Sequence, residues 1–383
     1  MHAAPFSVVL SSGFATYLCS MISLLSSFAV TEFSSTIPDL EIAVSTEKVK
    51  VEVAVAKAGE STVVFSETLY PDMIHHVRLS DIDRLIEPYS ARWLVFTLQI
   101  RIIEPGAKSD SFDAADAVER LLETRVVTCK ANILNMSAEE WCEKRFLTLI
   151  DGEKTTAPGF LEYLYFVGRL SASPTYRAYY DDCSTHAGPL QFTSMGDDYG
   201  RIDVSPVNFH RSGATLLRYE VRAGERVQQF VVDNDVETEV APVLLFWNSF
   251  GVQELAYCTG ELKQVASFDR KQARIGRLKE TYSMEEREHF KADTGYLSFP
   301  MANWWREVLR SRNIQVLTVV EGGVDLGSAK PVVITAEKHE MSNAADHLPR
   351  VTFEYEYADR NHNVFDTRRE GRIFDDTFDH TFN

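Results

Sequence analysis

Short alternating stretches bounded by turn residues constrain the fold of this chain most. Residues 49–56 read VKVEVAVA and alternate Val or Ala with polar side chains, which is the two-residue period of a strand with one buried face. A turn follows, and residues 61–70 (STVVFSETLY) predict the returning strand. Residues 93–103 predict another strand, and Ile82, Leu85 and Ile86 are spaced as on a short helix. We therefore predict a small β-sandwich domain over residues 35–105.

The middle of the chain repeats this organisation. Strand-like runs recur between residues 146 and 232 with turns between them. The Pro/Gly/Ser/Asp-rich stretch at 104–116 predicts a surface loop, and short helices are expected at 114–123 and from Ser137. These features predict a second β-sandwich over residues 106–260, with an inserted loop and short helices.

The last third differs in pattern. Ser283-Met-Glu-Glu286 has the form of a capping box, which predicts a helix to about residue 292. Pro300 predicts the start of a second helix, and residues 350–357 alternate as a strand. We predict a C-terminal α+β domain over 261–358 and a tail over 359–383. The predicted fold class is mainly β: tandem β-sandwich domains plus a C-terminal α+β part with two short helices.

Charge and cysteine content narrow the function. The formal net charge is −17, and so acidic a chain lacks the basic surface that displaces counterions from nucleic-acid phosphates. No nucleic-acid partner is expected. The five cysteines are odd in number and none forms a CxxC pair, so neither a disulfide framework nor a Cys-rich zinc site is predicted. This indicates synthesis in a reducing cytoplasm.

The N-terminus carries an apolar span at residues 8–30. No Lys or Arg precedes it, although a secretory signal normally has a basic n-region. Its six serines also make it a poor membrane helix, so no membrane partner is expected. We interpret residues 1–34 as an N-terminal apolar segment or docking arm, with a signal peptide as the main rival.

Catalytic patterns are absent from the sequence. It has no GxSxG, P-loop or Rossmann glycine pattern, and no enzyme activity or cofactor is predicted. Acidic turns at Asp181-Asp182, Asp197-Asp198 and 233–235 carry oxygen ligands that suit calcium. Asp and Asn also cap turn backbones, and turn chemistry is the favoured interpretation, with calcium as the alternative.

Two sets of aromatic residues are candidate contact sites. Tyr179 or Tyr180 must face outward if their segment is a strand, so both are candidate ligand-facing residues. The polar C-terminal tail contains regularly placed phenylalanines, which are rare in a tail that stays solvated. They are candidate interface residues: Phe365, Phe374, Phe378 and Phe382.

The stretch LLFWNSFGVQELAYCTG at residues 244–260 predicts a β-hairpin. Phe246 and Phe250 are expected to face a core, and Asn248 and Gly251 to set the turn. This strand followed by an F-x-N-x-[FY]-G-like turn resembles a hairpin of tail-associated structural proteins from phages and prophages of gut Bacteroidetes. Short stretches at 38–44, 70–72 and 353–361 are similar to that group as well. The resemblance implies a β-rich, non-enzymatic protein assembled as rings or trimers at the tail tip or baseplate.

The expected function is therefore that of a virion structural protein of the tail tip or baseplate, made in the host cytoplasm. It is expected to assemble as a homo-oligomer and to contact other tail proteins, since symmetric oligomers bury self-complementary patches. The alternative is a secreted or cell-surface adhesin or carbohydrate-binding β-sandwich protein that contacts a host-surface glycan. A hydrolase that uses an Asp/Glu pair is a third alternative, and carboxylate spacing decides it.

Overall fold

A computed structural model of the chain describes residues 22–359 except 109, 134, 197–198, 236–241, 321–322 and 341–347. The described part is mainly β, as predicted. It divides between Glu139 and Glu140 into two compact units, unit 1 and unit 2. None of the described helices combines the length and apolar character needed to cross a membrane.

Unit 1 is a β-sandwich with one helix. A three-stranded sheet has the order β1-β3-β6, and a five-stranded sheet has the order β2-β8-β7-β4-β5. Both sheets and the helix contribute to one apolar core, in which Ile42, Val51, Ile86 and Ile100 are fully buried. The elements are β1 (Ser23–Leu24), β2 (Thr31–Phe33), β3 (Leu40–Ala43), β4 (Val49–Lys57), β5 (Glu60–Leu69), β6 (His76–Leu79), α1 (Ile82–Ser90), β7 (Val95–Glu104) and β8 (Val118–Val127).

Unit 2 begins with a second sandwich. Its sheets have the orders β10-β14-β13 and β12-β11-β15-β16-β9, and a shared core includes Phe166, Ile202, Tyr219 and Phe230. Its elements are α2 (Ala138–Lys144), β9 (Glu153–Thr156), β10 (Tyr163–Val167), β11 (Thr175–Tyr180), β12 (Thr185–Pro189), β13 (Phe192–Ser194), β14 (Tyr199–Asp203), β15 (Leu216–Ala223) and β16 (Arg226–Val232), with a 3₁₀ turn at Pro206–Phe209.

A seven-stranded sheet completes unit 2, in the order β18-β17-β21-β22-β23-β20-β19. Helix α3 covers it through Trp304, Trp305 and Val308, which join Phe246 and Phe353 in one core. Ser298 caps this helix by accepting a hydrogen bond from Met301 N–H, and Pro300 lies in its first turn. The remaining elements are β17 (Val243–Trp247), β18 (Gln253–Tyr257), β19 (Leu262–Ile275), β20 (Leu278–Tyr296), α3 (Phe299–Arg310), β21 (Ile314–Val320), β22 (Gly323–Glu340) and β23 (Arg350–Tyr357).

Two segments predicted as helices are strands. Residues 118–123 of the segment predicted at 114–123 lie in β8, which pairs along its length with β7. The capping-box segment Ser283–Glu286 lies inside β20, where Glu285 and Glu286 pair with Asp269 and Phe268 of β19. Cross-strand pairing outweighs the local helix signal here, because a capping box satisfies only two backbone donors.

The domain limits predicted at 105/106 and 260/261 fall inside sheets. β7 and β8 are neighbours in the five-stranded sheet of unit 1, so the loop at 104–116 joins two strands of one domain. The hairpin of β17 and β18 belongs to the same sheet as β19 and β20. The chain divides instead near Glu139, at the start of α2.

Candidate functional site

The turn between β17 and β18 is built around Asn248, a residue that is 3% exposed. Asn248 Oδ1 accepts hydrogen bonds from the N–H groups of Phe250 at 3.0 Å and Val252 at 3.2 Å. Its backbone N–H donates to the Val252 carbonyl at 2.9 Å, and Gly251 N–H donates to the Asn248 carbonyl at 2.9 Å. Gly251 has φ 74°, a left-handed conformation that glycine adopts at little cost. Asn248 and Gly251 thus set this turn.

The amide nitrogen of Asn248 reaches beyond its own hairpin. Nδ2 donates to the carbonyl of Leu147 at 2.7 Å, and Leu147 precedes it by 101 residues. Nδ2 also donates to Glu254 Oε2 at 3.0 Å. One side chain therefore fixes the turn and ties it to the segment that follows α2.

Both phenylalanines of the hairpin face the interior. Phe246 and Phe250 are fully buried. The Phe246 ring lies edge-on to Trp304 of α3, with centroids 5.5 Å apart, and Phe250 contacts Trp141 of α2 at 5.6 Å. Such ring pairs contribute beyond the area they bury. The hairpin is a packing element and presents no aromatic platform to a ligand.

Two buried acids lie behind this turn, Glu254 on β18 and Glu307 on α3. Glu307 Oε1 accepts a hydrogen bond from Ser249 N–H at 2.5 Å, which joins the helix to the hairpin. Burial, reinforced by the neighbouring Glu254 carboxylate, raises the pKa of Glu307 to about 7. Glu307 Oε2 has no hydrogen-bond partner among the described residues, which fits a carboxyl group that is readily protonated.

A buried ion pair extends the same polar cluster. Lys154 Nζ on β9 lies 2.8 Å from Glu162 Oε2, and the two side chains are 5% and 2% exposed. Nζ also donates to the Leu255 carbonyl at 3.1 Å and lies 5.0 Å from the centre of the Trp304 ring. Burial raises the pKa of Glu162 to about 7, against the opposing effect of the Lys154 ammonium.

The four ionisable side chains of this cluster are buried. One cavity of about 270 Å³ is lined by residues between Arg145 and Gln229, and an open one of about 650 Å³ lies on the outer face of the second sandwich. None of Lys154, Glu162, Glu254 and Glu307 lines either of these cavities. The arrangement holds β9, the hairpin and α3 together, which is a structural role for buried ionisable groups.

The two candidate tyrosines on β11 lie on opposite faces of the strand. Tyr180 is 4% exposed, and its hydroxyl donates to the Phe209 carbonyl at 2.8 Å. It is therefore a core residue, and its assignment as ligand-facing is corrected, because strand alternation turns it inward. Tyr179 lies on the opposite face, half-buried beneath the guanidinium of Arg218, whose carbon is 4.5 Å from the ring centre.

The outer face around Tyr179 is basic. Arg177 on β11 and Arg222 on β15 line the 650 Å³ cavity together with Glu220. Arg222 Nε is 2.5 Å from Glu220 Oε1, and this pair leaves Arg177 and Arg218 as an excess of positive charge. Cations beside an aromatic ring suit an anionic or hydroxyl-rich ligand.

The acidic turns are engaged in backbone capping. Asp181 and Asp182 each accept a backbone N–H hydrogen bond at 2.9 Å, and Asp233 accepts one at 3.1 Å. Asp197-Asp198 lies outside the described residues. Within the described ranges no group of three or more His, Cys, Asp or Glu residues is arranged to hold a metal ion. The contacts of Asp182 and Asp233, each with the N–H two residues farther on, are those of Asx turns, whereas Asp181 binds the N–H of Thr215, 34 residues away.

The phenylalanines proposed as interface residues, Phe365, Phe374, Phe378 and Phe382, lie outside the described residues.

The outer part of strands β19 and β20 is an exposed element of the seven-stranded sheet. β20 pairs with β23 only over residues 289–296, so farther out it has β19 as its neighbour. We call residues 266–288, outward from the Ala266/Glu288 pair, the arm.

The arm is a two-stranded ribbon with exposed apolar side chains. Ten residues of β19, from 266 to 275, span about 34 Å at the rise of an antiparallel strand. Phe268 is 46% exposed and Met284 is 56% exposed, and Leu278 and Tyr282 are exposed as well. Residues 263–288 lack strand alternation, and Ser283–Glu286 has a helix-start pattern, so the sequence carries no strand signal for this arm.

Comparison with known proteins gives no family. No family model and no curated protein matches the chain. A chimeric titin Z1Z2 structure functionalised with a decorin peptide aligns with 56% of this chain and 97% of its own, at 9% identity and a TM-score of 0.14. The full extracellular region of plexin A4 aligns with 89% of this chain and 36% of its own, at 7% identity and a TM-score of 0.19. Likenesses this weak carry no argument.

Proposed function

We propose that this chain is a non-enzymatic structural protein of a phage or prophage virion, located at the tail tip or baseplate and assembled as a homo-oligomer. The arm is the observation that carries the assembly role. The hairpin turn with Phe246, Asn248, Phe250 and Gly251 carries the resemblance to tail proteins.

An arm of this kind is energetically unfavourable in a monomer. An isolated two-stranded ribbon is marginally stable in water, and three strands or a packed face are usually needed. Phe268 and Met284 of the arm are exposed, so they contribute no burial energy to the monomer. Burial of such side chains against another molecule stabilises both the arm and the assembly.

The interior of unit 2 supports the same proposal. The ionisable groups with raised pKa values, Glu162 and Glu307, are enclosed and join secondary structure elements to one another. In an enzyme, a raised carboxyl pKa usually lies in a cleft that substrate can enter. The enclosed cluster favours a rigid module over a catalyst.

The virion assignment is tested on particles. Virions induced from a lysogen that encodes this chain are purified, analysed by mass spectrometry and labelled with an antibody to unit 1 for electron microscopy. We expect the chain in several copies per particle with label at one end of the tail. Its absence from purified virions, with the free protein present in the lysate, contradicts the proposal.

A second candidate function is binding of a glycan at the host or cell surface, as in an adhesin. The observation in its favour is the open 650 Å³ cavity that Tyr176, Arg177 and Arg222 line; Tyr179 is not among its lining residues. An acidic sugar would place its carboxylate or sulfate on the arginines and its ring on Tyr176. The two functions are compatible, because tail-tip proteins and adhesins both face a cell surface.

Glycan binding is tested on an array with the wild-type chain and two variants. We expect Arg177→Ala to abolish hits on acidic glycans, and Arg211→Ala, at an exposed arginine whose guanidinium carbon lies 5.9 Å from the Tyr180 ring, to leave them unchanged. Absence of hits for the wild-type chain removes this candidate.

A further inference from the structure

We propose that the outer edge of β19 is the surface through which two copies of this chain pair, antiparallel and two-fold symmetric, centred on Arg270. Residues 265–275 of one copy then lie beside residues 275–265 of the other. This inference rests on the proposed assembly role and names the surface and the partner that serve it.

The edge itself is open in the described part of the chain. β19 is the last strand of the seven-stranded sheet, and β20 is its one strand neighbour there. Residues 263–274 are all exposed. The outer N–H and C=O groups of such a strand form a template for another chain, and natural edge strands are usually short or irregular to prevent pairing. β19 is long, at 14 residues.

The strand is also regular. The register of the ribbon shifts between Lys271 and Gln272, which face Ser283 and Thr281. The extra residue is Tyr282, so the bulge belongs to β20 and leaves the pleat of β19 continuous. No proline occurs in β19. A regular strand of this length provides about ten backbone hydrogen bonds to an added antiparallel strand.

Charge inside the arm identifies a second copy as the occupant. Asp269 lies directly opposite Glu285 of β20, and like charges at this position repel, although Arg287 of the same strand lies 4.0 Å from the Glu285 carboxylate. Lys271, two positions farther along the same face, lies opposite the neutral Ser283. In the proposed register, Asp269 of each copy lies beside Lys271 of the other. Each acid gains a cation across the edge, and the symmetry makes this contact twice.

The centre of the interface accommodates Arg270. Two arginines meet at the two-fold axis, and their charges would oppose pairing if both pointed at each other. The guanidinium carbon of Arg270 instead lies 5.3 Å from the centre of its own Phe268 ring, so it is drawn along its own strand. The same register places Phe268 beside Gln272 of the second copy, which covers part of its exposed ring.

A polyanion is the competing occupant, because residues 270–279 include Arg270, Lys271, Arg274, Arg277 and Lys279 and no acid. The arm, however, carries Asp269, Glu280, Glu285 and Glu286 immediately behind this tip. A nucleic acid or anionic membrane would be repelled by that section. A second copy running in the opposite direction uses charges of both signs, which favours self-pairing.

The test is a charge swap measured by sedimentation velocity across about 1–100 µM protein. We expect the wild-type chain to associate reversibly. Asp269→Lys and Lys271→Asp alone each weaken association about tenfold or more, since each change removes two ion pairs and creates two repulsions. The combined variant, with both changes, is expected to return to within about threefold of wild type. Lys279→Asp, on β20 and away from the edge, serves as the matched control and leaves association unchanged.

The outcomes separate the contact from the function. If the single charge-reversal variants associate as the wild-type chain does, the proposed interface is refuted. Detection of the chain in virions would in that case still support the assembly role. A wild-type chain that remains monomeric but binds a 30-nucleotide DNA duplex, with Lys271→Asp abolishing that binding, also overturns it and assigns the tip to polyanions. Circular dichroism and unfolding midpoints confirm that each variant is folded.

Discussion

Replacement of Asn248 by alanine is the sharpest perturbation of the hairpin. The side chain makes four hydrogen bonds, two accepted by Oδ1 and two donated by Nδ2. Its removal leaves the Phe250 N–H, the Leu147 carbonyl and Glu254 Oε2 without these contacts in a buried region. A buried group that loses its partner costs about 1–3 kcal/mol. We therefore expect Asn248→Ala to lower the free energy of unfolding by about 3–5 kcal/mol.

A second variant separates the two halves of this network. Asn248→Asp keeps the acceptor that the Phe250 and Val252 N–H groups need, but it removes the donor and places a carboxylate against Glu254. We expect it to be at least as destabilising as alanine at pH 8. The loss should be smaller at pH 5.5, because protonation of one carboxyl then restores a donor.

The assay is guanidinium unfolding followed by tryptophan fluorescence. Four of the five tryptophans lie in unit 2, so the signal reports mainly on the unit that contains the hairpin. Asn208→Ala is the matched control, since its exposed Nδ2 donates to Asp203 Oδ1 at 3.0 Å; a change within about 0.5–1 kcal/mol is expected. A loss below about 1 kcal/mol for Asn248→Ala refutes the reasoning.

Three further predictions follow from the same geometry. The pKa of Glu307 is raised to about 7, so the stability that its protonated form contributes is fully present below the unfolded-state pKa of about 4.5 and is lost as pH rises through 7. The Glu307→Gln variant should therefore lose up to about 3 kcal/mol of this pH dependence, measured as the difference in unfolding free energy from wild type between pH 4.5 and 8. Gly251→Ala, at φ 74°, should lower the free energy of unfolding by about 1–2 kcal/mol in the same assay, whereas a wild-type midpoint would show that the turn relaxes. Tyr180→Phe should cost about 1 kcal/mol by removing the bond to the Phe209 carbonyl, and Tyr179→Phe should be neutral; equal effects would contradict the assignment of opposite faces.

The sequence predicts those parts of the fold in which local pattern and tertiary environment agree. The strand at 49–57 alternates because one face lies in the core of unit 1, and the helix from Phe299 to Arg310 has both a cap and an apolar stripe. The hairpin turn is predictable because Asn248 and Gly251 supply turn chemistry within four residues. In these cases the signal lies within one element.

The arm could not be predicted in this way. Both of its faces are exposed, so β20 lacks the alternation that marks a half-buried strand, and Ser283–Glu286 keeps a helix-start pattern. Its structure depends on pairing with β19. Contacts between different elements are equally invisible to local pattern: Asn248 and Leu147 are 101 residues apart, and the buried pair joins Lys154 on β9 to Glu162 in the loop before β10.

Shortening of the arm tests the central claim most directly. In this variant residues 267–287 are replaced by Asn-Gly, which closes a two-residue hairpin turn between Ala266 and Glu288. Sedimentation equilibrium of both proteins at matched concentration gives their masses. The account predicts that the wild-type chain has the mass of an oligomer and that the shortened chain has the mass of a monomer, with an unchanged unfolding midpoint. A wild-type chain that remains a monomer, or a shortened chain that assembles equally well, contradicts the account.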